Sequence, residues 1–242
     1  MIDIHCHILP GFDDGSHDIP ESLAMIHMAL NSGVTGIVAT PHFRGEQRSL
    51  NYVGALVDRF RRLEQAVREN GMPITLYPGA EILCLPQTVE MARCQQLPTL
   101  GDTRYLLCEF FFNEHITYMD DILSGIADCG YIPVIAHPER YETVKHDPRS
   151  VERWFGNGYL IQLNKGSILG AFGYDEQTTA DWIIGNGLAH MVASDAHGSN
   201  RRTTDMAPLR QALLEKHPPA YVKVMTDINP ARLIRGEEMY RP

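Results

Sequence analysis

The sequence predicts an α/β protein in which seven parallel strands close into a barrel, and three observations support this fold class. Apolar, β-branched-rich runs alternate with amphipathic stretches along the chain, an order that indicates βα units and parallel pairing. The 242 residues contain no internal repeat or low-complexity linker, which favours one domain spanning 1–242. Polar residues of metal-ligand type follow the strands. A barrel would gather them into one ring, whereas an open sheet would spread them along a line.

The predicted strands are short runs rich in apolar and β-branched residues. They lie near Ile2–His7, Gly36–Thr40, Ile74–Ala80, Arg104–Phe110, Ile132–Ala136, Tyr159–Leu163 and His190–Ser194. The runs IVAT at 37–40 and PVIA at 133–136 are typical of strands that are buried on both faces.

Helices are predicted between these strands where apolar residues recur at helical spacing. The candidates include Glu21–Ser32, Asn51–Asn70, Thr117–Cys129 and Asp205–Lys216. Gly33, Gly71 and Gly130 follow the first three, at the position where a left-handed residue commonly ends a helix. Pro20 suits a first helical turn.

The bulk composition excludes several classes of protein. The net charge of −9 argues against a large nucleic-acid-binding surface, which needs a basic surplus. No apolar run approaches the roughly 18 residues that span a bilayer, and the start MIDIHCH shows no secretory signal. The five cysteines form no CxxC pair and are odd in number. We therefore expect a reducing compartment, a cytoplasmic protein and no membrane insertion.

Two motifs at the ends of the first and last strands carry the strongest chemical signal. His5 and His7 stand two apart in a strand, so both imidazoles point to one face, while Cys6 points away into the packing between strands and helices. Asp195 and His197 repeat this spacing in SDAH. Because a closed barrel makes its first and last strands neighbours, the two pairs would meet and form a metal site.

Further candidate ligands end the strands in between. Glu81 and Glu109 sit beside apolar residues at strand ends, where a carboxylate is costly to bury unless it is paired or metal-bound. His42 and His137 stand in the strand-end tripeptides TPH and AHP. These four side chains extend the site beyond what a single ion needs.

The loop GFDDGS adds one carboxylate, from either Asp13 or Asp14. The complete set is then five imidazoles and four carboxylates without a thiolate, a mixture that suits Mn, Fe or Zn. Nine donors exceed what one ion can use, so we expect two or three ions. Clusters of this kind generate a nucleophile from water and clamp the attacking and leaving oxygens.

Arg140 and Arg202 are the best candidates for binding phosphate, because guanidinium groups match phosphate oxygens bidentately. Arg44, Arg48 and Arg201 are weaker alternatives. Other phosphate chemistries lack their motifs, since the chain has no Cys-x5-Arg loop, DxD pair, P-loop or GxSxG elbow. The sequence therefore predicts a metal-dependent phosphoester hydrolase.

These motifs resemble those of the polymerase-and-histidinol-phosphatase (PHP) superfamily. The resemblance rests on MIDIHCHILPGFDDGS at 1–16, VATPH at 38–42, PGAEI at 78–82, AHPERY at 136–141 and SDAH at 194–197. More narrowly, the chain resembles the bacterial capsular-polysaccharide type of protein tyrosine phosphatase. This resemblance implies a distorted seven-stranded (β/α) barrel with three metal ions, usually manganese.

The resemblance also implies roles for single residues. One ion would be held by His5, His7, Glu81 and Asp195, with Glu81 bridging to a second ion held by Glu109 and His137. A third ion would lie on Asp14, His42 and His197. Arg140 and Arg202 match phosphate-binding arginines. The implied substrate is phosphotyrosine on the tail of a bacterial tyrosine kinase that controls capsule and exopolysaccharide export.

Three alternatives remain at this point. A small-molecule phosphatase of the same superfamily, such as a histidinol-phosphate phosphatase, would share the metal ligands, but the compact length and the PGAEI and HPERY contexts favour the tyrosine phosphatase. An amide hydrolase or deaminase also uses HxH in a barrel, but Glu109 stands where a lysine would bridge. A non-enzymatic kinase-binding module would have little reason to keep every ligand. The loop 43–51 and the segment after Arg202 match no motif.

Overall fold

The structure, a computed structural model, describes residues 1–45 and 50–241. Within these ranges the strands are β1 (Ile2–Cys6), β2 (Gly36–Ala39), β3 (His42–Phe43), β4 (Thr75–Pro78), β5 (Glu81–Leu83), β6 (Tyr105–Glu109), β7 (Ile132–Ala136), β8 (Leu160–Asn164) and β9 (Met191–Ala193). The α-helices are α1 (Ile19–Asn31), α2 (Leu50–Glu69), α3 (Thr88–Arg93), α4 (Ile116–Asp128), α5 (Glu142–His146), α6 (Ser150–Gly156), α7 (Lys165–Ile168), α8 (Tyr174–Gly185), α9 (Ala207–Lys216), α10 (Pro219–Lys223) and α11 (Asn229–Ile234). No helix within the described ranges has the length and apolar character needed to cross a bilayer.

The strands form two parallel sheets, in the orders β1-β2-β4 and β3-β5-β6-β7-β8-β9. Two residues separate β2 from β3, and two separate β4 from β5, so each of these pairs occupies one of seven successive strand positions. A parallel bridge between Cys6 and Ala196 connects the end of β9 back to β1. This pairing is compatible with a distorted seven-stranded barrel, and the breaks after β2 and β4 divide it into two sheets.

The predicted helix ends are set by local chemistry. Asp18 caps α1 by accepting the N–H of Glu21, and Pro20 lies in its first turn. Gly33, Gly71 and Gly130 have positive φ angles just past their helices, as predicted. The helix predicted from Asp205 begins at Ala207 instead, because the Asp205 carboxylate accepts the N–H of Ala207 ahead of the first turn.

Two apolar cores hold the strands in place. The larger core packs the strands against helices such as α1 and α4, and it includes Cys6, which points away from the flanking histidines as predicted. The smaller core draws buried side chains from six of the described strands, including Ile4, Val38, Leu107 and Val134. Because these side chains meet one another, they fill the interior of the strand ring and leave its carboxyl end to polar residues.

Candidate metal centre

All nine predicted ligand side chains lie together at the carboxyl end of the strand ring. His5 belongs to β1, His42 begins β3, Glu81 begins β5 and Glu109 ends β6. The remaining five follow strands β1, β7 and β9 in the connecting loops: His7, Asp14, His137, Asp195 and His197. The parallel strands therefore bring the nine side chains together at their carboxyl ends, as predicted from the sequence.

The two histidines of HxH face each other across a small space. The Nε2 atom of His5 lies 3.3 Å from Nε2 of His7, 3.2 Å from Oε1 of Glu81 and 3.4 Å from Oδ1 of Asp195. All four side chains are almost fully buried. Their donor atoms converge on one point, as the implied first ion requires.

Glu81 lies at the centre of the cluster, with its two oxygens facing different histidines. Its Oε1 atom contacts Nε2 of His137 at 2.9 Å as well as His5, while Oε2 contacts His7 at 3.3 Å and Nδ1 of His42 at 3.1 Å. Glu109 lies next to this group, with its Oε1 atom 3.7 Å from Nε2 of His137. A carboxylate with both oxygens engaged in this way has the geometry to bridge two ions.

The third group lies at the mouth of the site. The Oδ1 atom of Asp14 is 3.3 Å from Nε2 of His42 and 3.6 Å from Nε2 of His197. His42 faces this group with Nε2 and faces Glu81 and Glu109 with Nδ1. It could therefore serve either the second or the third ion, whereas the resemblance implied the third alone.

The donors fit a cluster of divalent ions. Three overlapping groups have ligand atoms within 4.8 Å of one another: His7, Asp14, His42 and His197; His5, His7 and Glu81; and His42, Glu81 and Glu109. The mixture of imidazole and carboxylate donors matches divalent transition metals. Because the groups share members, they could hold neighbouring ions.

Two side chains that were not predicted to have this role, Asp13 and Gln162, hydrogen-bond to the ligand histidines and orient them. The Nδ1 atom of His7 donates to Oδ2 of Asp13 at 2.7 Å, and Nδ1 of His5 donates to Oε1 of Gln162 at 2.9 Å. Each bond fixes the tautomer that leaves Nε2 free for a metal. Asp13 also accepts the backbone N–H of His42 at 2.9 Å. Its side chain is 8% exposed against 67% for Asp14, which separates the two aspartates that the sequence left as alternatives.

Buried amides on β8 connect the ligands to one another. The Nε2 atom of Gln162 donates to Oδ1 of Asn164 at 3.0 Å, and Nδ2 of Asn164 donates to Oδ2 of Asp195. The backbone N–H of Asn164 donates to Glu139 at 2.8 Å. The signal in the sequence was the spacing of Gln162 and Asn164, two polar residues two apart in an apolar strand.

Internal ion pairs hold the buried donors in position. Burial disfavours the imidazolium of His7, but its contacts with Asp13 and Glu81 outweigh this and raise its pKa to about 10. Burial likewise opposes the charge on His5, yet Glu81 and Asp195 raise its pKa to about 8. Burial and the Glu81 carboxylate raise the pKa of Glu109. A cation bound here would take the place of these protons.

The backbone is strained at three site residues. His137, Asp195 and Arg202 have φ angles of 36°, 48° and 46°, in the left-handed region that non-glycine residues rarely adopt. His137 and Asp195 follow the ends of β7 and β9, where the chain must turn sharply to aim a side chain inward, and Arg202 lies further along the loop after β9. Such strain concentrates at functional sites because the surrounding structure must hold it.

Both candidate phosphate-binding arginines reach the site. Nη1 of Arg140 lies 3.4 Å and Nη2 of Arg202 2.5 Å from Oδ2 of Asp195. The two arginines line a cavity of about 520 Å³ with most of the ligands, with Arg44 and with the aromatic side chains Phe110, Phe111 and Phe112. Arg201 is exposed, and Arg48 lies outside the described residues.

Convergent imidazoles and carboxylates at the carboxyl end of a parallel α/β ring are the arrangement of metal-dependent hydrolases. Comparison with known proteins narrows this class. Residues 1–235 match the family model described as capsular polysaccharide synthesis, CpsB/CapC. The chain belongs to this family.

Relatives and a solved structure agree with this assignment. The chain is 33% identical to the tyrosine-protein phosphatase YwqE of Bacillus subtilis, covering 100% of this chain and 94% of the relative. It is 34% identical to the putative tyrosine-protein phosphatase CapC of Staphylococcus aureus, covering 84% and 79%. It also superimposes with a TM-score of 0.91 and 31% identity, covering 100% and 97%, on a crystal structure from work on YwqE of B. subtilis and CpsB of Streptococcus pneumoniae. That work describes these proteins as unique metal-dependent tyrosine phosphatases.

Proposed function

We propose that this chain is a metal-dependent protein tyrosine phosphatase, a phosphoric monoester hydrolase that works without a catalytic cysteine. The observation that carries the proposal is the meeting of seven of the nine N/O donors with two arginines at one cavity, where the other two donors, His5 and His7, cluster with Glu81. The names of the relatives support phosphotyrosine as the substrate. They also favour this function over the histidinol-phosphate phosphatase that the sequence left open.

The nine donors would hold two or three divalent ions, with manganese as our first choice and iron or zinc as the alternatives. His5, His7, Glu81 and Asp195 would hold one ion, and Glu109 and His137 would share Glu81 to hold another. A third would lie on Asp14, His42 and His197. When bound, such ions supply Lewis acidity and a nucleophile derived from water at neutral pH.

The chain's own residues would bind and orient the phosphate. Arg140 and Arg202 reach the cavity from two separate loops, and both place guanidinium nitrogens beside Asp195. Donors fixed in this way stabilise the charge that develops on phosphate oxygens during hydrolysis. Asp13 and Gln162 would keep His7 and His5 in the correct tautomer.

The proposed partner is a phosphotyrosine-bearing protein, in particular the tail of a bacterial tyrosine kinase that regulates capsular and exopolysaccharide synthesis. The family description, which names capsular polysaccharide synthesis, supports this choice. We propose a cytoplasmic location, because the unpaired cysteine pattern suits a reducing compartment.

A paired assay tests the proposal. Metal-reconstituted protein is given a phosphotyrosine peptide and histidinol phosphate side by side, with a chelator-treated sample as the control. We expect metal-dependent hydrolysis of the peptide at a much higher kcat/KM. Preference for histidinol phosphate, or a rate that the chelator does not change, would contradict the proposed function.

A further inference from the structure

Phe172, in the loop between α7 and α8, contacts both arginines of the site. The guanidinium carbon Cζ of Arg140 lies 4.7 Å from the centre of the Phe172 ring, and that of Arg202 lies 5.7 Å from the same centre. Arg140 also packs against Phe112, at 4.3 Å. The two arginines come from different loops, yet they share one aromatic neighbour.

This contact has a physical consequence for phosphate binding. A guanidinium group that packs on a ring engages its face and leaves the N–H groups at its edge free to donate. An arginine without such a contact is a long chain with many rotamers, and ordering it on binding would weaken the affinity. Arg140 and Arg202 instead have the ring contact and the nearby Asp195 carboxylate to fix them before substrate arrives.

The position of Phe172 is set by Gly166 in α7. A Cβ atom at residue 166 would lie 2.5 Å from two atoms of the Phe172 ring, a separation that real Cβ atoms do not tolerate. The backbone N–H of Ala171 donates to the carbonyl of Gly166 at 2.8 Å, which folds the loop back over the helix. Asn164, which directly precedes α7, donates its side-chain N–H to the Asp195 carboxylate. One short segment therefore positions both the Phe172 ring and the Asp195 carboxylate.

We propose that Phe172, seated on Gly166, is a positioning residue that orients Arg140 and Arg202 for a phosphate group. It does not touch the reacting atoms and acts through the two arginines. The inference rests on the proposed function, and it adds the device that fixes the phosphate-binding geometry.

The test compares Phe172→Leu with Phe155→Leu. Phe155, in α6, is a matched control because its ring also contacts an arginine, with Cζ of Arg241 5.3 Å from the ring centre. It packs against His190, the residue before β9, and lies away from the site. We expect Phe172→Leu to weaken competitive inhibition by inorganic phosphate about five- to thirtyfold. The metal content should stay at the wild-type level, because none of the nine donors is altered. Phe155→Leu should leave phosphate inhibition unchanged.

A spectroscopic measurement separates this inference from the proposed function. In zinc-loaded protein, the guanidinium Nε signal of Arg202 should carry a ring-current shift that Phe172→Leu and Gly166→Ala remove and Phe172→Tyr retains. The Nε signal of Arg140 should change in the same two variants but keep the contribution of Phe112. Unchanged signals and unchanged phosphate inhibition in Phe172→Leu would overturn the inference, as would equal effects in Phe155→Leu. If the wild type fails to hydrolyse phosphotyrosine, the proposed function fails, while the signals still report on the ring and the arginines.

Discussion

Asp13 and Asp14 are adjacent but have different roles, since Asp13 hydrogen-bonds to His7 and Asp14 faces His42 and His197 as a candidate metal ligand. This difference leads to a quantitative prediction. Burial opposes the charge of Asp13, but the hydrogen bond from His7 outweighs it and lowers its pKa to about 2, from an ordinary value of 3.8. A difference of this size corresponds to about 2 kcal/mol of folding stability. Because the folded-state pKa is lowered, this stability is present above about pH 4 and is lost as the pH falls toward 2.

Asp13→Asn should therefore destabilise the metal-free protein by about 2 kcal/mol at pH 7, and the difference from wild type should shrink on acidification. It should weaken metal binding about 10- to 100-fold without lowering the number of ions, since Asp13 orients a ligand from behind. Asp14 is largely exposed, so Asp14→Asn should barely change the stability of the metal-free protein but should remove one bound ion.

Urea unfolding of metal-free protein and calorimetric titration with manganese measure both effects. Asp13→Asn and Asp14→Asn serve as mutual controls, because each substitution exchanges one carboxylate for one amide in the same loop. A drop in metal stoichiometry in Asp13→Asn, with no such drop in Asp14→Asn, would refute the assignment and exchange the two roles.

Three further predictions address the ligands, their protons and the arginines. His5→Ala or Asp195→Ala should abolish most phosphatase activity with an unchanged circular dichroism spectrum, and wild-type turnover would show that the residue is not a ligand. Because the raised pKa values of His5, His7 and Glu109 keep all three side chains protonated at pH 7, metal binding should release about three protons and tighten as the pH rises from 6 to 8. Calorimetry in buffers of different ionisation enthalpy counts the released protons, and a pH-independent affinity would contradict this. Arg140→Ala and Arg202→Ala should each weaken phosphate inhibition about tenfold or more at unchanged metal content, and wild-type inhibition would move this role to another arginine.

Much of the site could be predicted because it follows from backbone geometry. In a strand, residues two apart share a face, so His5 and His7 had to converge. Parallel strands place their carboxyl ends together, so donors as distant in sequence as Glu81 and Asp195 had to meet. These rules need only the order and ends of the strands, which the apolar runs reveal.

Other features depend on tertiary detail that the sequence does not carry. The predicted strands Gly36–Thr40 and Ile74–Ala80 correspond to β2 and β4, but the short strands β3 and β5, which follow after the breaks at 40–41 and 79–80, were not predicted. The choice of Asp13 over Asp14 as the partner of His7 depends on how one loop folds back over β1. Phe172 lies in a loop without periodicity, so no pattern links it to Arg140 and Arg202.

The central claim is that the clustered donors make this chain a metal-dependent tyrosine phosphatase. The most direct test is to titrate manganese into metal-free protein while following hydrolysis of a phosphotyrosine peptide. We predict negligible activity without metal, a rise to a plateau at about two to three equivalents per chain, and complete loss on adding a chelator. Full activity without added metal, or activity that persists in the chelator, would contradict it.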